Sequence, residues 1–130
     1  MSNFIKPTDA ELKILHVLWN NGASNVRFVN EKLNELCDDG EEVVYTTTLK
    51  TMQVMHEKKN LLIRDDSART HIYTAAVPQE ETQKNMLRQF VDNTFKGSAM
   101  QLVMQALGDN TANEDELAEI KALIEKLENK

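Results

Sequence analysis

Cysteine is almost missing from this sequence: Cys37 is the only one in 130 residues. An intramolecular disulfide is therefore excluded, and the composition fits a reducing compartment. A reactive thiol needs a base beside it, and none stands near Cys37, so ordinary packing is its expected role. Long apolar runs are missing too. None approaches the roughly 18 residues that cross a bilayer, and the N-terminus lacks a basic stretch followed by a hydrophobic one, so neither a membrane span nor a signal peptide is expected. A soluble, cytoplasmic protein follows as the expectation. There is no glycine-rich phosphate loop, no nucleophile with an activating base, no internal repeat and no low-complexity segment. The chain is accordingly not expected to be an enzyme.

Metal and cofactor chemistry also has little to stand on. His16 follows the inner stripe of a helix, His56 lies late in another, and His71 opens a short strand; none has a carboxylate or second histidine at ligand spacing. No metal and no cofactor are expected. For His71, a phosphate contact and a plain solvent-facing position are equally open. The six methionines fall largely at helical core spacing, where flexible side chains fill gaps.

What is present is an uneven charge. The net charge is -6, yet residues 45 to 76 carry Lys50, Lys58, Lys59, Arg64 and Arg69 against Glu57, Asp65 and Asp66, a local +2. The remaining 98 residues hold -8. A basic surface on an acidic protein binds phosphates, with weak and salt-sensitive affinity for non-specific DNA.

Periodicity supplies the elements. In PTDAELKILHVLWNNGAS, Thr8 and Glu11 form the pattern of a capping box, Leu12, Leu15, Leu18 and Trp19 recur on one face, and Asn21-Gly22 ends the helix. A second helix is expected from Ser24, with Val26, Val29, Leu33 and Leu36 inward, stopping in the acidic loop CDDGEE. The third, within VVYTTTLKTMQVMHEKK, directs Tyr45, Leu49, Met52 and Met55 inward with Thr48 at their edge. Thr46, Thr47, Lys50, Thr51, Gln53, Val54 and Lys58 face outward. After Asn60, which suits a left-handed helix end, LLIR and HIYTAA read as a hairpin with Arg69 at or near its tip. Pro78 marks a boundary. Beyond it one helix carries Met86, Leu87, Phe90, Val91 and Phe95, a shorter one Leu102, Val103, Ala106 and Leu107, and a last one Leu117, Ile120, Ile124 and Leu127.

Three helices followed by a two-stranded wing describe a winged helix-turn-helix, whose third helix enters the major groove. The fold class is thus mainly α with a small β-hairpin: a winged helix over residues 1–77 and a helical dimerisation region over 78–130. A run of threonines forms helices poorly, but short hydroxyl side chains cap a helix start, donate to phosphates and offer a methyl to thymine. Lys50, one turn later on the same face, favours DNA over mere space-filling. Thr46, Thr47 and Lys50 are the candidates for base edges and nearby phosphates; Thr51, Ser24 and Arg27 are candidates for the backbone, and Arg69 for the wing contact.

The succession PTDAELKILHVLW, GASNVRFVNEKL, VVYTTTLKTMQVMHEKK, RTHIY and FKGSAMQLVMQAL resembles the penicillinase repressor family of bacterial transcriptional regulators, which includes the BlaI, MecI and CopY repressors. The resemblance spans nearly the whole chain. It implies a homodimer that reads double-stranded DNA at a palindromic operator and is held together by its C-terminal helices. Phe90, Phe95, Leu117, Ile120, Ile124 and Leu127 are the dimerisation candidates. It also implies an upstream sensor or protease as a possible partner, since cleavage ends repression in the β-lactam branch. Gln105-Ala106 stands where that branch has its cleaved Asn-Phe bond, which leaves proteolytic induction open. Val54 stands where a basic residue is common late in the reading helix, and Asn60 where a glycine is usual. No Cys-x-Cys pair is present, so a cysteine-based copper switch is excluded. The rival reading is a winged helix serving as a protein-interaction module or adaptor; outward Lys50 and Arg69 weigh against it.

Overall fold

The computed structural model describes residues 4–37, 40–109 and 112–129. Its elements are α1 (Asp9–Asn21), α2 (Val26–Glu35), α3 (Tyr45–Glu57), β1 (Leu62–Asp65), β2 (Ile72–Ala75), α4 (Gln79–Thr94), α5 (Ala99–Gly108) and α6 (Glu114–Glu128). The fold is mainly α with one small antiparallel sheet. Asp38 and Asp39 of the acidic loop lie outside the described residues. The chain divides into two compact units, one up to Asn85 and one from Met86.

In the first unit, α1 begins as its sequence dictates. The Thr8 N–H donates to Glu11 Oε1 (2.9 Å) and the Glu11 N–H donates to Thr8 Oγ1 (3.2 Å), so two otherwise orphaned donors are satisfied. Gly22, at φ +83°, closes the helix with its N–H on Leu18 O. Its buried side chains include Ile14 and Val17 besides the expected Leu15 and Leu18, while Leu12 and Trp19 are only half-buried. The apolar stripe is wider than one face because α1 packs against α2, α3 and β2 together.

Helix α2 starts two residues later than expected. Ser24 is drawn into an antiparallel bridge with Tyr73, its N–H donating to Tyr73 O (3.0 Å) and its O accepting from Tyr73 N (2.8 Å). That bridge requires extended backbone, so Asn25 takes the cap, accepting from Phe28 N at 2.8 Å. At the other end, Leu36 is not inward. The helix stops at Glu35, and Leu36 is 69% exposed at its C-cap.

Helix α3 corrects two further expectations. Its N-cap is Val44, which has no side-chain capping bond, so none of the threonines caps the helix. Thr48 is instead fully buried, where its Oγ1 accepts from Asn30 Nδ2 (2.9 Å), and Thr51 Oγ1 donates back to Thr47 O (2.8 Å). Tyr45, expected inside, is 41% exposed, because the first helical residue lies beyond the layer that covers Leu49, Met52 and Met55. Two α2 carboxamides fix the approach to α3: Asn30 Nδ2 and Asn34 Nδ2 both donate to Val43 O, and Val43 N donates to Asn34 Oδ1. Asn60 adopts φ +55°, as a helix-ending asparagine can, and Leu61 N reaches back to Met55 O.

The chain then enters the hairpin, with Leu62 paired to Ala75, Arg64 to Tyr73 and Asp65 to Ile72. Leu62 and Tyr73 face the core formed with Ile14, Leu15, Val29, Met52 and Met55. Trp19 Nε1 donates to Val77 O at 2.9 Å, tying α1 to the chain leaving the wing.

The second unit contains most of α4 with α5 and α6. Ser98 caps α5, and Asn113 with Glu116 forms a capping box on α6. Phe90 and Phe95 meet edge to face with centroids 5.7 Å apart. Neither α5 nor α6 has a buried side chain.

Candidate nucleic-acid interface

The outward face of α3 is set by what its inward face buries. With Thr48, Met52 and Met55 in the core, the 100° helical step turns Thr46, Thr47 and Lys50 to solvent, while Thr51, Gln53 and Val54 are half-buried along the same side. Thr46, Thr47, Lys50, Thr51 and Val54 line a shallow concavity of about 520 Å³ with Thr8, Ala10 and Glu11 at the start of α1. Lys50 takes part in no ion pair among the described residues.

Beside that face lies a second groove, of about 350 Å³, between the start of α2, the start of α3 and the wing. Asn25, Arg27, Tyr45, Arg69, Thr70 and His71 line it. The Arg27 guanidinium sits 5.7 Å from the Tyr45 ring centroid, a cation–π contact that lays an exposed arginine alongside the first turn of α3. Arg69 comes from the turn between the strands. There the Asp65 carboxylate accepts from Ser67 N at 2.9 Å, and its hydrogen bonds with Ser67 hold its pKa below the ordinary value. Arg27 and Arg69, like Lys50, form no ion pair among the described residues, so three cations stay available on this side.

Other basic groups are already engaged. Arg64 Nε lies 2.7 Å from Asp66 Oδ1 and Nη1 lies 3.9 Å from Glu57; its guanidinium pKa is raised, first by Tyr73 and then by Asp66. Lys59 Nζ lies 2.7 Å from Glu11 Oε2. Burial pushes the Glu11 carboxyl up, but Lys59 and the Thr8 donors outweigh it, so the group lies below the usual carboxylate value. This pair ties the start of α1 to the chain just after α3.

Of the residues singled out in the sequence, the fold brings Thr46, Thr47, Lys50 and Thr51 together and sets Arg27 and Arg69 in the adjacent groove. Ser24 is not among them. Its hydroxyl donates to Gly22 O at 2.9 Å and its side chain is buried. Tyr45, Asn25 and Thr70 were not legible as groove residues: each is placed by the meeting of segments distant in sequence. The signal for Tyr45 was an aromatic at the first helical position, where phase alone does not decide the face.

Among the described residues no group of three or more His, Cys, Asp or Glu is arranged to hold a metal ion. Among the same residues no helix is long and apolar enough to cross a membrane.

Over 123 residues the chain is 20% identical to the penicillinase repressor of Bacillus licheniformis, an alignment covering 95% of this chain and 92% of that protein. The profile of the penicillinase repressor family matches residues 7–126, which takes in all eight elements up to the last turn of α6. By this match the chain belongs to the penicillinase repressor family, whose members are DNA-binding transcriptional regulators and not enzymes.

Proposed function

We propose that this protein is a cytoplasmic dimeric repressor that reads a palindromic operator by inserting the first turns of α3 into the major groove. The observation that carries the reading is the exposed triad Thr46, Thr47 and Lys50, free of ion pairs and flanked by a groove holding Arg27 and Arg69. Thr46, Thr47 and Lys50 meet base edges and nearby phosphates. Thr51 and Arg27 meet the backbone, and Arg69 extends that contact through the wing. The threonine run then has a function where it has no capping role, since a hydroxyl and a methyl on one short side chain suit both phosphate and thymine.

Assembly rests on the helices after the wing, with residues 1–77 as the reading domain and 78–130 as the dimerisation region. Phe90, Leu117, Ile124 and Leu127 are between 41% and 55% exposed, and Phe95 and Ile120 are half-buried. So small a region lacks the surface to bury these side chains alone, and a second copy covers them. A two-fold dimer presents two reading helices to half-sites about one helical turn, or a multiple of it, apart. Gln105 and Ala106 lie inside α5. Because they are not the Asn-Phe pair cleaved in the β-lactam branch, loosening of the dimer by a ligand or an upstream partner fits this chain better than cutting at that bond.

Selection of bound sequences from a random duplex pool by the purified full-length chain tests the reading. The expected product is a palindrome, for which Lys50→Ala weakens binding by about 1–3 kcal/mol. Unchanged affinity at matched salt removes α3 as the reading element. A selection with no enriched sequence favours the protein-interaction module instead.

A further inference from the structure

His71 lies in the groove with Arg27 and Arg69, and its two ring nitrogens have different surroundings. Nε2 is 3.6 Å from Asp66 Oδ1, an ion-pair distance, while the ring is about half exposed. Nδ1 has no hydrogen-bond partner among the described residues. Asp66 is itself held by Arg64, whose Nε lies 2.7 Å from the same oxygen and which also faces Glu57 and Tyr73. The remaining charged or titratable groups lining the groove are Arg27 from α2, Tyr45 from α3, and Arg69 from the turn.

We propose that His71 is a proton-dependent phosphate ligand: the operator backbone lies in the groove beside Arg27 and Arg69, and the protonated imidazole adds one contact that the neutral ring withholds. The inference deepens the reading given under Proposed function and rests on it. In the neutral ring one nitrogen carries a lone pair, which repels a phosphate oxygen; in the imidazolium both nitrogens donate. Nε2 lies 3.6 Å from Asp66 Oδ1, and protonation turns whichever ring nitrogen carries the lone pair into a second donor, so the half-exposed ring has no acceptor left to repel a phosphate. Asp66 does not cancel the gain, because its carboxylate is shared with Arg64. The two arginines keep their charge throughout the histidine range, so they anchor the backbone at every pH while His71 sets the increment. His16 and His56 lie elsewhere, against Trp19 in α1 and against Leu62 O respectively, and remain in place as internal controls.

The test is the affinity of the full-length chain for its selected palindromic duplex at pH 6.0 and 8.0, at one ionic strength, with His71→Gln and His71→Lys beside the wild type. A protonated contact worth up to tenfold at each half-site makes the wild type up to about a hundredfold tighter on the two-site palindrome at the lower pH. His71→Gln flattens most of that difference, and His71→Lys binds at pH 8.0 as the wild type does at pH 6.0. The salt slope of wild-type binding steepens by about 0.9 per half-site on acidification, the value of one phosphate contact, and that of His71→Gln does not. Equal pH dependence in wild type and His71→Gln overturns the inference while leaving the reading helix untouched. Failure of the wild type to bind any selected duplex at either pH overturns both.

Discussion

Replacing Lys59 by methionine isolates the Glu11 carboxylate, and the structure fixes how much that costs. The Glu11 side chain is 6% exposed and that of Lys59 29%. Removing one partner of a fully buried pair costs about 3–5 kcal/mol, because the other charge stays desolvated. Here water reaches the ammonium side, and the Thr8 N–H continues to donate to Glu11 Oε1, so the cost falls below that range, to about 2–3 kcal/mol. Glu11→Gln costs less, about 1 kcal/mol, because an amide oxygen still accepts from Thr8 N and the stranded lysine is the better hydrated partner. Urea unfolding followed by Trp19 emission suits the measurement, since it is the single tryptophan and lies in the first unit. The pH dependence gives an independent check. In the wild type the Glu11 pKa is depressed, so its contribution is present above the ordinary carboxylate pKa and is lost as pH falls through the lower folded value. In Lys59→Met the largest lowering influence is gone while burial still raises the pKa, so protonation relieves the variant first. Its deficit relative to wild type shrinks as pH falls from 7 through the carboxylate range. A loss below about 0.5 kcal/mol at pH 7, or a deficit that grows on acidification, refutes the assignment of Glu11 as a buried charge held by Lys59.

Asn30→Ala removes the donor to Thr48 Oγ1 and Val43 O, and should lower first-unit stability by about 1–3 kcal/mol in the same assay. Arg69→Ala should weaken binding to the selected palindrome and to random duplex by a similar factor, because a backbone contact carries no sequence information; a loss confined to one base position would mean the wing reads sequence. Sedimentation should show the full chain as a dimer and a chain ending at residue 85 as a monomer that binds the palindrome no better than one half-site. A monomeric full-length chain would count against the proposed assembly.

Features that depend on neighbours three or four residues apart were legible in the sequence. The Thr8–Glu11 box, the inward Met52 and Met55 and the exposed Lys50 all follow from such spacings, and the left-handed Asn60 from its residue type alone. What escaped was set by partners far along the chain. Ser24 reads as the start of a helix until Tyr73, 49 residues later, takes its backbone, and Ile14 and Val17 join the core only once α1 is packed on its neighbours. Leu36 and Tyr45 were misplaced because they sit at helix ends, where a continuous wheel assumes turns that are not there. The candidate interface divides in the same way. Its α3 face follows from helical phase, whereas the groove that joins Arg27, Tyr45, Arg69 and His71 exists only once the wing has folded back to the start of α2.

The turn from Gly22 to Asn25 leaves no slack. Gly22 is committed to a left-handed helix end, Ser24 to two backbone bonds with Tyr73, and Asn25 to the first turn of α2. Adding or deleting one residue there would break the bridge or displace the start of α2, and either would carry Arg27 away from Tyr45. Residues 66–71, by contrast, lie beyond the last ladder pair, Asp65 with Ile72, and can lengthen without moving a core atom. Relatives of this chain should therefore keep the helix-joining turn at constant length and differ in the reach of the wing, so that the footprint on DNA can be tailored at its margins while its centre stays fixed.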